Sequence, residues 1–225
     1  MKKSLSSQIF LFGGILFFFF LVILFLGKQW LLFSLLIACA TPIPFFLRLE
    51  RNGKSAGYLS LIASMVSLSA AGRVLFAPIP FFKPVSAICV LCGTFFGAEA
   101  GFLCGSLSAL LSNLYFGQGP WTPFQMLSWG LIGFLAGVFS KPIKKSRLMQ
   151  CLFGVLSGVL FSLCMDLFTT LWQEGSFDFS RYLFFLTSSL TVMVIYALSN
   201  VLFLLALTPL FRRIFQRLVT KFGLE

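Results

Sequence analysis

Histidine is absent from the 225 residues, and Asp and Glu together number six. The chain therefore lacks imidazole bases and the commonest metal ligand. Asp166 is the acid that falls inside an apolar run, six residues before Trp172 and about 9 Å of helix rise from that boundary. An ionisable group so placed faces a site or a partner; the candidates are a pair with Arg73 or a hydrogen bond to Ser or Thr. A second polar group surrounds Gly117-Gln118-Gly119-Pro120: Asn113, Tyr115, Gln118, Trp121, Gln125 and Trp129. Arg73 and Lys83 bring two cations to a connection, Gly72 to Lys83, that carries Pro78 and Pro80. Trp121, Trp172 and Tyr182 also suit an interfacial aromatic belt, but a belt does not need the amides of Asn113, Gln118 and Gln125. Aromatic faces beside hydrogen-bonding edges suit a planar, polar small molecule.

Other fragments point nowhere. Gly53-Lys54-Ser55 matches the tail of a phosphate-binding loop, but Arg48 stands where the first glycine belongs and no strand precedes it. Cys89 and Cys92 form a C-x-x-C pair without a second pair or a histidine. The six cysteines (Cys39, Cys89, Cys92, Cys104, Cys151, Cys164) all sit in apolar stretches, where a thiol acts as a small hydrophobe, so no disulfide framework is expected. A serine nucleophile has no base, and an aspartyl dyad has no second acid, Glu99 falling at a junction. Catalytic residues, a metal and a cofactor are not expected, and an enzyme is the weaker class.

The elements that must position these groups are membrane spans. Apolar residues make up 59% of the chain and charged ones 10%, against about 25% in a soluble domain. A spanning helix needs about 20 mostly apolar residues. The runs predict an all-α integral membrane protein with eight spans: Ile9 to Leu26, Trp30 to Leu47 (bent by Pro42 and Pro44), Gly57 to Ala71, Pro84 to Phe96, Glu99 to Phe116, Trp121 to Ser140, Leu148 to Trp172 and Tyr182 to Leu210. The first resembles a signal peptide, but Gly27-Lys28-Gln29-Trp30 offers no small-residue cleavage site, so a retained anchor is expected. Residues 1–55 form a two-helix membrane extension, and residues 56–225 a six-helix core with a basic tail.

The net charge of +11 tests this count. With the N-terminus inside, the inner segments hold Lys2, Lys3, Arg48, Arg51, Lys54, Lys141, Lys144, Lys145, Arg147, Arg212, Arg213, Arg217 and Lys221, and the outer ones hold Lys28, Arg73, Lys83 and Arg181. That split obeys the positive-inside rule with both termini cytoplasmic. The excess then has anionic lipid as its partner, with no role for nucleic acid. Small residues recur at helical spacing at Gly97, Gly101, Gly105 and Ala109, at Gly130, Gly133 and Gly137, at Gly154 and Gly158, and at Ala63, Ser67 and Ala71. Such stripes let helices approach closely, either inside the bundle or against a partner.

The stretch from Ala70-Ala71-Gly72-Arg73 through Phe76-Ala77-Pro78-Ile79-Pro80-Phe81-Phe82-Lys83-Pro84, then Gly97-Ala98-Glu99-Ala100-Gly101-Phe102, then Ser112-Asn113-Leu114-Tyr115-Phe116-Gly117-Gln118-Gly119-Pro120-Trp121-Thr122-Pro123-Phe124-Gln125-Met126 and Trp129-Gly130-Leu131-Ile132-Gly133, resembles the substrate-binding S components of energy-coupling factor (ECF) transporters. The resemblance spans roughly residues 56–210. It implies a six-helix vitamin binder of a bacterial or archaeal cytoplasmic membrane. Such a protein captures a micronutrient outside the cell and delivers it through a transmembrane coupling subunit and two ATPases. The expected substrate site is the set of polar and aromatic groups named above, Arg73, Lys83, Asn113, Tyr115, Gln118, Trp121, Gln125 and Asp166, and the resemblance further implies a coupling contact at Ala63, Ser67 and Ala71, where serine replaces the usual central alanine. The Gly-Gln-Gly-Pro-Trp run resembles components linked to cobalamin or its precursors; queuosine precursors, riboflavin and pantothenate remain alternatives. The rival class is a scaffold of cell-shape machinery, similar to MreD, which shares a related six-helix plan and transports no solute.

Overall fold

A computed structural model describes residues 40, 42–51 and 55–222. Among these, nine helices follow one another without a strand: α1 Ile43–Arg51, α2 Ala56–Leu75, α3 Val85–Phe96, α4 Ala98–Phe116, α5 Thr122–Val138, α6 Ser140–Lys145, α7 Arg147–Glu174, α8 Phe179–Ser188 and α9 Leu190–Phe222. The expected spans Ile9 to Leu26 and Trp30 to Leu47 lie outside the described residues, apart from residues 40 and 42–47 of the second. By length and composition, α2, α7 and the stretch Leu190–Leu218 of α9 can each cross a membrane, while α3 and α5 are shorter apolar helices.

Local chemistry sets the boundaries. Ser55 caps α2 by accepting the Tyr58 N–H at 3.3 Å. The helix runs past Ala71 to Leu75, so Arg73 stands in its last turn and not in the connection as expected. A cation there complements the helix dipole. The junction expected between Phe96 and Glu99 is a true break: Gly97 has φ +99°, a conformation open to glycine, and separates α3 from α4. The expected span Tyr182 to Leu210 divides at Ser189, whose hydroxyl donates to Asp166 Oδ2 at 2.6 Å.

α3 is the central element, buried at every position from Val85 to Phe95. The glycine stripes on the flanking helices pack inside the bundle. A Cβ at Gly101 would collide with the Gly133 carbonyl, and one at Gly158 would lie 2.6 Å from the Ala197 nitrogen. Phe45 of α1 stacks on Phe102 with ring centroids 4.1 Å apart, which holds α1 against α4. The stripe Ala63, Ser67, Ala71 behaves differently: all three residues are exposed, while α2 buries Tyr58, Ile62, Met65, Val66, Ser69 and Ala70 on its other side.

Candidate functional site

The polar residues singled out in the sequence converge where α2 ends, α4 ends and α5 begins. Arg73 Nη1 donates to Ser112 Oγ at 2.6 Å and to Asn113 Oδ1 at 2.7 Å. Asn113 Nδ2 donates in turn to Thr122 Oγ1 and to Gln125 Oε1, both at 2.9 Å. The Thr122 hydroxyl donates to Gln118 Oε1 at 3.0 Å and accepts the Gly119 N–H at 3.2 Å, closing the turn between α4 and α5. Gln118 Nε2 reaches the Leu110 carbonyl at 2.8 Å. Asn113 is 1% exposed, and its amide is engaged by three partners, so it braces the site.

The guanidinium of Arg73 lies 4.6 Å from the Phe116 ring centroid and 5.0 Å from that of Trp129. Lys83 Nζ lies 4.9 Å from the same Phe116 ring. Two cations thus share one aromatic ring, and the partners of Arg73 are neutral groups and rings. Burial, and then the charge of Arg73, hold the Lys83 ammonium below the ordinary lysine pKa. Behind Trp129 the rings continue: Phe161 stacks on it at 4.9 Å, Tyr196 meets Phe161 at 5.1 Å, and Phe81 meets Tyr196 at 5.9 Å.

Phe81 belongs to the connection between α2 and α3, and its φ of +59° is left-handed, a strained setting for a bulky residue. The connection is tied to α9 by hydrogen bonds at Lys83 and by ring contacts. Ser199 Oγ accepts the Lys83 N–H at 3.0 Å and donates to the Lys83 carbonyl at 3.1 Å. Phe76 and Phe82 pack on Phe203 at 5.0 and 5.1 Å.

The structure therefore joins Arg73, Asn113, Gln118 and Gln125 in one network and sets Lys83 beside it. Tyr115 is 67% exposed, its ring edge against Phe116, and lies off the network. Trp121 is 37% exposed and covers Gly119. Asp166 does not pair with Arg73; it accepts from Ser189, the hydroxyl alternative to that pair. Sequence reasoning missed Thr122, the hub of the turn, although it opens α5 three residues before Gln125, a spacing that places both side chains on one helical face. It also missed Ser199 and Asn200. The Asn200 amide is buried with neither atom hydrogen-bonded among the described residues, a rare condition in a packed interior.

A family model described as "ECF-type riboflavin transporter, S component" matches residues 54–220. Neither a curated protein nor a solved structure matches the chain.

Proposed function

Since the chain belongs to the family of ECF-type riboflavin transporter S components, we propose that its aromatic end captures a vitamin of the flavin class, a planar conjugated ring with carbonyl oxygens along one edge. The observation that carries this reading is Arg73, held by Ser112 and Asn113 with its guanidinium against Phe116 and Trp129. A guanidinium fixed through one nitrogen keeps its other donors for ring carbonyls. The flat faces beside it suit stacking. Lys83 adds a second positive charge toward an electron-rich edge. Entry requires the connection 76–84 to lift from Tyr196 and Phe203, with the Ser199 clasp as its fixed point. Gln125 and Gln118 join the site through Asn113 and Thr122, Trp121 covers Gly119, and Asp166 accepts from Ser189 at the break between α8 and α9.

The basic end, with Lys141 to Arg147 and Arg212 to Arg217, faces the cytoplasm, and both termini lie there. Residues 1–55 are a membrane extension of the six-helix core. The exposed small residues Ala63, Ser67 and Ala71 receive a transmembrane coupling subunit, which brings two ATPases and drives uptake. The scaffold reading is not favoured, since the matching family is one of vitamin transporters.

Calorimetric titration of the purified protein with riboflavin, cobalamin, pantothenate and a queuosine precursor tests the proposal. Riboflavin is expected to bind at one site per chain. Heat from cobalamin with none from riboflavin would reassign the ligand, and no heat from any candidate would remove the solute-binding reading.

A further inference from the structure

The end of the bundle opposite the Arg73 network holds a cleft of about 630 Å³. Five cations line it: Lys144 and Lys145 from α6, Arg147 from α7, and Arg212 and Arg213 from α9. Among the described residues no carboxylate lines it. The ion pair at this protein's other end, Arg181 with Glu174 at 3.0 Å, does not reach it.

The walls are tied together. The Arg212 guanidinium donates to the Lys144 carbonyl, which locks α9 to α6. Gln150 Nε2 donates to the Ile143 carbonyl at 3.0 Å, which locks α7 to α6. Lys144 Nζ lies 5.4 Å from the Phe95 ring and 5.7 Å from that of Phe215. Burial, and then the charge of Arg212, hold Lys144 below the ordinary lysine pKa.

The positive-inside rule asks only that cations gather on one side of the membrane. It does not ask that three helices direct theirs into one cleft. Like charges at such spacing repel, and the arrangement becomes favourable when an anion with several acceptor oxygens sits among them. Leu205 and Pro209 add an apolar wall. We infer that this cleft binds a phosphate ester, supplied either as the headgroup of an anionic phospholipid or as a soluble phosphate compound. The inference does not depend on which vitamin the other end takes.

The experiment is a thermal-shift titration of the purified full chain in a neutral maltoside detergent. Dihexanoyl-phosphatidylglycerol should raise the melting point in a saturable way, and dihexanoyl-phosphatidylcholine should not. Glycerol 1-phosphate separates the sources: tighter binding of the lipid assigns a headgroup, and tighter binding of the soluble ester assigns a free phosphate compound. Either result supports the site. The double variant Lys145→Gln/Arg213→Gln should raise the half-saturating concentration about 30-fold, at about fivefold per cation. The control Lys141→Gln/Arg217→Gln removes equal charge from the same end outside the cleft and should leave that concentration unchanged. All four side chains are exposed, so the unliganded melting points should match wild type. Equal shifts with both lipids, or equal weakening in both double variants, would overturn the inference.

Discussion

Replacing Asn113 by Ala separates the role of the polar clasp from that of the groups it positions. The Asn113 amide accepts from Arg73 and donates to Thr122 and Gln125. A hydrogen bond to a charged group contributes about 1.5–3 kcal/mol and a neutral one about 1 kcal/mol. Truncation places about 3–5 kcal/mol at stake. The surviving bonds from Arg73 to Ser112 and from Thr122 to Gln118 hold those side chains in place and offset part of that loss. A net destabilisation of about 2–3 kcal/mol corresponds to about 4–12 °C in melting point for a chain of this length. Arg73 keeps one of its two recorded hydrogen-bond anchors, so riboflavin affinity should fall by at least about fivefold, the effect of one lost buried hydrogen bond. Asn113→Asp gives the contrast. Its carboxylate retains Arg73 as an ion pair but neutralises the cation; it can only accept, so Gln125 must turn its amide to donate, and the melting point should recover part of the way toward wild type while affinity stays low. Intrinsic tryptophan melting and riboflavin fluorescence titration read the two quantities. A melting point unchanged in Asn113→Ala, or a lowered one with unchanged affinity, would refute the claim that the clasp positions the binding group.

Three further outcomes are expected. Ser67→Trp puts a large side chain on the exposed small-residue face of α2 and should abolish vitamin uptake by cells while the isolated protein still binds riboflavin; equal loss of both would assign the face to internal packing. Gly101→Leu forces α4 from α5 against the Gly133 carbonyl and should cost more than the 1–3 kcal/mol or so typical of overpacking, read as loss of monodisperse protein on size exclusion. With the native accessible thiols removed, cysteine at Gly119 should react with an impermeant reagent in intact cells and cysteine at Lys144 should not; the reverse would invert the proposed orientation.

Much of the bundle was legible because lipid imposes simple rules. Apolar length located α2, α4, α5 and α7 to within a few residues, and the helical spacing of small residues marked close-packing faces on α4 and α5 without saying what each packs against; the Gly101 and Gly133 backbones meet there. The site was legible as composition more than as geometry. Arg73, Asn113 and Gln125 were found as polar groups in apolar surroundings, but their pairing depends on how residues 117–120 turn the chain, which periodicity does not encode. Tyr115 neighbours Asn113 in the sequence, but residues two apart point to different sides of a helix, and Tyr115 lies off the network. The length of α2 was underestimated because Gly72 and Arg73 look like loop residues, whereas the helix end tolerates glycine and favours a cation. Ser189 and Ser199 carried no signal in one dimension, since each acts through a partner, Asp166 or Lys83, distant in sequence.

The most direct test of the central claim is the ligand that the protein itself retains. Wild-type protein, expressed in cells grown without added vitamins and purified in mild detergent, is denatured and its extract analysed by mass spectrometry. A flavin in near-equal amount to the chain is expected, with its loss in Arg73→Gln. A corrin or another vitamin in its place, or an extract without any small molecule together with no flavin taken up on incubation, would contradict that claim.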